Sequence, residues 1–132
     1  MEGRCPACER SFTAELIHNG FNDSSYAYCA KCGRVALCSH WTWPASLPTA
    51  DYAVLPAEVI PFLQPCPCGG LFHTHAMPRC PHCRTALNPM TATPWIEAAS
   101  APGWHWQQSW LGLYALVIQG EALRDPWLSP QV

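Results

Sequence analysis

Eight of the nine cysteines in this 132-residue chain stand in four close pairs: Cys5/Cys8, Cys29/Cys32, Cys66/Cys68 and Cys80/Cys83. Spacing of this kind puts two sulfurs on one side of a tight turn, and two such turns can surround a divalent ion with four thiolates. In chain order the pairs form two sets. Cys5, Cys8, Cys29 and Cys32 leave twenty residues between their pairs, at the upper edge of a two-knuckle zinc spacing; Cys66, Cys68, Cys80 and Cys83 leave eleven. The expectation is two structural Zn2+ sites of four cysteines each, coordinatively closed. Gly33 follows the second cysteine of its pair, where a knuckle tends to need the left-handed conformation, and Glu9 occupies that place after Cys8. In the tighter Cys66/Cys68 loop, Gly69 and Gly70 supply the backbone freedom.

The stretches 5–8, 29–33, 66–70 and 80–83 resemble the Cys-Pro-x-Cys-Gly knuckles of zinc-ribbon and rubredoxin-like proteins over residues 5–34 and 66–84. That resemblance implies short antiparallel hairpins clamped by metal. It implies no activity, because fold analogy is weak evidence for function. The tail from Gly103 to Ile118 resembles that of small uncharacterised bacterial proteins. Iron is a competing occupant of a four-thiolate site, although glycine is missing after Cys8 and after Cys83.

Chain length and a hydrophobic content of 49% suit a single small domain over 1–132. We expect a first zinc ribbon at 5–40, a Pro/Trp-rich connector at 41–63, a second ribbon at 64–88, and an aromatic segment with a terminal hairpin at 89–132. The expected fold is mostly β and metal-stabilised, with little helix. Strands are expected at 12–18, 25–29 and 34–38, making the first ribbon, with a weaker strand at 70–75 and a hairpin of 113–118 with 122–124 around Gln119-Gly120. A helix over 108–118 competes with that hairpin, but Gly112, Val117 and Ile118 favour the strand. Prolines 44, 48, 56, 61 and 65 exclude a long helix from the connector and leave room for one turn at 57–63.

Nine cysteines suggest a secreted disulfide scaffold, but the chain opens with no apolar signal segment and with a metal ligand already at residue 5, so the expectation is a reducing cytoplasm. The longest apolar run, 111–118, is far short of a bilayer span. Four thiolates and one divalent ion add −2 per site, taking the formal charge from −2 to −6. Six of the seven basic residues, Arg4, Arg10, Lys31, Arg34, Arg79 and Arg84, lie within two positions of a knuckle cysteine, as partners for negative clusters rather than as a nucleic-acid patch.

Seven tryptophans, at 41, 43, 95, 104, 106, 110 and 127, are expected mainly to fill core, with Trp104 and Trp106 sharing one face if that stretch is extended. Cys80-Pro81-His82-Cys83 resembles the active-site motif of bacterial disulfide oxidases, but no βαβ pattern surrounds it and Pro89 and Pro94 restrict a following helix. A catalytic zinc using His73, His75 or His82 would need to displace available sulfurs. Cys38, two residues before His40, reads as a buried inert thiol. The functional expectation is a non-catalytic zinc protein that binds another protein, as an accessory or immunity-type factor. A zinc-ribbon nucleic-acid binder is the alternative, followed by a thiol redox or zinc enzyme.

Overall fold

Residues 24–29 and 35–38 are buried without a break, so these strands need cover on both faces. Tyr26 and Tyr28 face one way, with Val35 and Leu37; Ala27 and Cys29 face the other, with Ala36 and Cys38. A second sheet supplies one cover and the Pro-rich connector the other.

The computed structural model describes residues 2–19, 23–47, 54–87 and 114–128. Its strands are β1 (Glu2–Arg4), β2 (Ser11–His18), β3 (Ser24–Cys29), β4 (Val35–Ser39), β5 (Phe72–His73), β6 (Tyr114–Ile118) and β7 (Ala122–Arg124). A three-stranded sheet has the order β1-β2-β6, and a four-stranded sheet the order β5-β3-β4-β7. Two 3-10 turns, His40–Thr42 and Ile60–Phe62, are the helical elements among the described residues. The fold is mostly β, and no described helix is long and apolar enough to cross a membrane.

Between the sheets, Tyr26, Tyr28, Val35 and Leu37 meet Ala115 and Val117, with Ile17 against them. The outer face of the three-stranded sheet buries Phe12, Ala14, Leu116 and Ile118 with Leu87. On the far face of the four-stranded sheet, Leu55, Val59, Leu63 and Phe72 pack over Ala27, Ala36 and Cys38. Complete burial of a side chain such as Leu55 or Val59 stabilises by roughly 2 kcal/mol. The sheets are also joined by a polar contact. Tyr28 Oη accepts from Leu116 N at 2.7 Å and lies 3.3 Å from the Leu116 carbonyl oxygen, so one hydroxyl enters the backbone of β6.

Strand positions follow the sequence closely, but their partners do not. β2 and β3 were expected in one ribbon, yet they fall in different sheets. The unforeseen β1 pairs with β2 on one edge (Gly3 opposite Phe12) and β6 takes the other (Leu16 opposite Leu116), leaving no edge for β3. The expected terminal hairpin is also corrected. Gln119 and Gly120 do turn the chain, both with positive φ, but β7 crosses to the other sheet and runs parallel to β4, Ala36 opposite Leu123. Asp125 holds it there by accepting from Ser39 N at 2.6 Å and Thr42 Oγ1 at 2.7 Å. The turn at 57–63 forms as its prolines allow, and the expected strand at 70–75 shortens to β5.

Candidate metal centre

All four cysteine pairs form turns of one design. The first cysteine's N–H donates to the carbonyl five residues on (Cys5 to Arg10, Cys29 to Arg34, Cys80 to Thr85), and its carbonyl accepts from the residue four on (Glu9, Gly33, Arg84). At Cys66 the same loop closes one residue sooner, onto Gly70 and Gly69. This geometry needs a left-handed residue after the second cysteine. The φ values there are 62° at Glu9, 78° at Gly33, 92° at Gly69 and 65° at Arg84. Within the turns, N–H groups point at sulfur: Ala7 N to Cys5 Sγ at 3.3 Å, Lys31 N to Cys29 Sγ at 3.4 Å, Gly70 N to Cys68 Sγ at 3.3 Å and His82 N to Cys80 Sγ at 3.4 Å. Such donors stabilise a thiolate over a thiol.

The eight paired cysteines converge in two groups, but the grouping is nested rather than consecutive. Cys5 and Cys8 meet Cys80 and Cys83, while Cys29 and Cys32 meet Cys66 and Cys68. We call these the outer and inner clusters. Strand pairing explains the correction. β5 lies against β3 with Phe72 opposite Cys29, which carries the 66–68 turn to the 29–32 turn. The 80–83 turn belongs to a small hairpin closed by the Arg79–Ala86 bridge and docked on the first sheet, where Leu87 is buried and His82 Nε2–H donates to the Ser11 carbonyl at 2.9 Å. With β2 and β3 in separate layers, their knuckles cannot share an ion.

In each cluster the four sulfurs all lie within 4.8 Å of one another. The shortest contacts are 3.6 Å for Cys5–Cys83, 3.7 Å for Cys8–Cys80, 3.5 Å for Cys29–Cys68 and 3.6 Å for Cys32–Cys66. A tetrahedron with Zn–S bonds near 2.3 Å has edges of about 3.8 Å, so the residues fit a metal of that size. Burial pushes the thiols of Cys66 and Cys80 up to about 12. Cys83 runs the other way, drawn down to about 6 by the Thr85 hydroxyl and backbone N–H. For Cys68 burial acts upward, but the Gly70 N–H and the sulfurs of Cys29, Cys32 and Cys66 together bring it down to about 7. A divalent cation would be the largest local charge and would favour thiolate throughout.

Basic side chains sit where the charge of four thiolates calls for them. Lys31 Nζ approaches the Cys68 carbonyl (3.4 Å), Arg4 Nε the Glu9 carbonyl (3.0 Å), Arg79 the Arg84 carbonyl (2.8 Å) and Arg84 the Cys32 carbonyl (3.5 Å). For Arg34, burial opposes the charge, and Glu121 at 3.5 Å with the Cys66 and Cys32 sulfurs more than offsets it, raising its pKa.

Cys38 lies outside both clusters, buried in β4, its thiol pushed up to about 12 by burial and then by Asp125. His40 Nε2 pairs with Ser25 Oγ at 3.0 Å, so no Cys38–His40 nucleophile is assembled. His73 and His75 are exposed and belong to neither cluster; they sit in a turn in which His73 Nδ1 accepts from His75 N at 3.0 Å. Trp43 and Trp127 pack edge to face at 5.1 Å over the inner core, whereas Trp41 is 84% exposed. Trp95, Trp104, Trp106 and Trp110 lie outside the described residues. Asp125, which anchors β7, was missed because a lone aspartate before a proline carries no spacing signal.

No curated protein and no solved structure matches the chain. A family model described as a domain of unknown function (DUF8255) matches residues 1–89, a span that contains all eight clustered cysteines, and the chain belongs to that family.

Proposed function

We propose that this is a non-catalytic zinc protein of zinc-ribbon character that acts by binding another protein, as an accessory or immunity-type factor. The observation that carries the proposal is that both clusters are complete. Four sulfurs around each centre leave no position for water or substrate, whereas catalytic zinc keeps one open. Recognition then falls to the surface, where Trp41 is 84% and Leu71 67% exposed, and Phe62 and Leu128 are exposed side by side. A cavity of about 250 Å³ lined by Ala57, Ile60, Pro61, Phe72 and His75 offers a seat for an apolar anchor. The arginines cap knuckle carbonyls and face the clusters, an arrangement that supports charge balance over nucleic-acid contact.

The test combines native mass spectrometry with capture from the source cell. Two zincs per chain, and a partner held by the wild type but released by a Trp41→Ala/Phe62→Asp variant that keeps both zincs, would support the reading. Tight, salt-sensitive binding of RNA or DNA near 0.15 M salt would replace it with a nucleic-acid function. A turnover abolished by Cys80→Ser in a folded chain would make the protein an enzyme.

A further inference from the structure

The knuckles of the two clusters touch. A Cβ at Gly33, in the inner cluster, would lie 2.3 Å from Arg79 N, beside Cys80 of the outer one. Arg84, the left-handed residue of an outer knuckle, donates through Nη1 to the carbonyl of Cys32 in the inner cluster at 3.5 Å. Arg34, Arg79, Arg84 and Glu121 line the cleft between the clusters, whose free space of about 10 Å³ is room for about one water. That is too small for a ligand. Arg34 Nε is buried there with no hydrogen-bond partner among the described residues, a position that suits its charge more than its donors. Each cluster with a divalent ion carries −2, and the guanidinium groups stand where those charges would otherwise repel.

We propose that the clusters are coupled through this arginine junction and hold metal unequally, the inner one first and longest, the outer one as an exchangeable site. The inference rests on the reading that both clusters bind metal, and adds an order to it. Chain connectivity favours the inner cluster, since 34 positions separate Cys32 from Cys66 and 72 separate Cys8 from Cys80. Doubling a loop lowers its closure equilibrium about threefold, and closing the inner loop first shortens the outer one. Backbone conformation favours it too. Its left-handed positions are Gly33 and Gly69, whereas the outer cluster has Glu9 and Arg84, each disfavoured on the order of tenfold. Access points the same way, because the outer cluster has an exposed ligand, Cys83, whereas none of the four inner ligands is exposed. Loss of the outer metal would free the 78–87 hairpin and β1 while the four-stranded sheet keeps its clamp.

The test uses the purified metal-loaded chain, a zinc chelator and a thiol-alkylating reagent, with native mass spectrometry counting metals and peptide mapping locating the modified cysteines. The expected course is two metals, then one, then none. Alkylation of Cys5, Cys8, Cys80 and Cys83 should run at least tenfold ahead of Cys29, Cys32, Cys66 and Cys68. Both sets reacting together, or the inner set first, overturns the order. Coupling is read in Gly33→Ala, which leaves all eight ligands in place and presses the inner knuckle against the Arg79 backbone beside the outer one. The outer cysteines should then alkylate at least tenfold faster than in the wild type, and unchanged outer rates in a chain that still binds metal overturn the junction. If Gly33→Ala does not fold, Arg34→Gln takes its place with the same two readings. A wild-type chain with no metal defeats the metal reading itself, an outcome distinct from two metals lost in the wrong order.

Discussion

The outer and inner clusters use the same ligands and the same turn, yet they are built to different tolerances. Around the inner cluster the left-handed positions are glycines, none of the four ligands is exposed, and strands β3, β4 and β5 converge on the site. Around the outer cluster those positions are Glu9 and Arg84, Cys83 is exposed, and one knuckle joins the three-residue β1 to β2 while the other belongs to a hairpin closed by a single bridge. On the proposed order of metal release, the backbone that presents the sulfurs, and not ligand type or number, sets how firmly a four-cysteine site is held.

Removing one ligand from each cluster gives the largest expected effect and the hardest test of that contrast. A structural zinc contributes about 10–16 kcal/mol of apparent binding free energy, as much as or more than the roughly 5–15 kcal/mol that holds a typical domain together. Cys66→Ser should therefore leave the chain unfolded and without metal. Cys83→Ser should keep one metal and the strand signal of the four-stranded sheet, lowering the melting temperature without abolishing the transition. Circular dichroism and metal counting on the two variants check this. Equal collapse of both would mean that the clusters are not unequal.

Adding a methyl group probes the same contrast more gently. A Cβ at Gly70 would lie 2.6 Å from Lys31 Cβ and 2.7 Å from Cys29 Sγ, so Gly70→Ala presses directly on an inner ligand. Overpacking of this kind costs about 1–3 kcal/mol, and sulfurs held at fixed distances from one ion have little room to yield. At Gly69 the nearest atom is Lys31 Nζ at 4.0 Å, so Gly69→Ala should cost about 1–2 kcal/mol, for left-handed strain alone. Chelator-induced unfolding should rank Gly70→Ala below Gly69→Ala and both below the wild type.

Tyr28 joins the two halves, so its loss should weaken both clusters alike. Tyr28→Phe leaves the Leu116 N–H without its partner and costs about 1–3 kcal/mol. The same hydroxyl gives an alkaline limb. Burial, reinforced by Tyr26, raises the pKa of Tyr28 above its ordinary 10.0 and burial takes Tyr26 to about 12, so the fold favours the neutral forms. Their stabilisation is complete below pH 10 and falls as pH rises above it, by about 1.4 kcal/mol per unit for each tyrosine. Denaturant midpoints between pH 9 and 12 should decline less steeply in Tyr28→Phe than in the wild type.

How much of this was legible in the sequence depends on the range over which each signal acts. The ligands were, because a knuckle is made within six residues: Cys5 to Arg10 closes on itself whatever the rest of the chain does. Strands β2, β3, β4, β6 and β7 were, because alternation and turn residues are local. Which knuckle joins which was not. That choice follows from β6, about a hundred residues further on, occupying the edge of β2 that β3 would have used, and from β5 pairing with β3. The arginines were visible as neighbours of cysteines, but their convergence between two clusters needed the nested pairing.

The smallest expected effect sharpens the comparison from the favourable side. Glu9 and Arg84 hold φ near 62° and 65°, where a side chain costs about 1–2 kcal/mol relative to its ordinary conformation. Glycine removes that strain and restores some unfolded-state entropy, so the net gain from Glu9→Gly should be about 1 kcal/mol or less. Glu9 is the cleaner position, being exposed and using its backbone carbonyl rather than its side chain to meet Arg4. Arg84→Gly gives up the contact with the Cys32 carbonyl along with the strain, so its gain should be smaller or absent. Slower chelator release of the outer metal in Glu9→Gly, with the inner metal unchanged, is the expected result. An unchanged outer rate would assign the weakness of that cluster to the exposure of Cys83 instead of to its backbone.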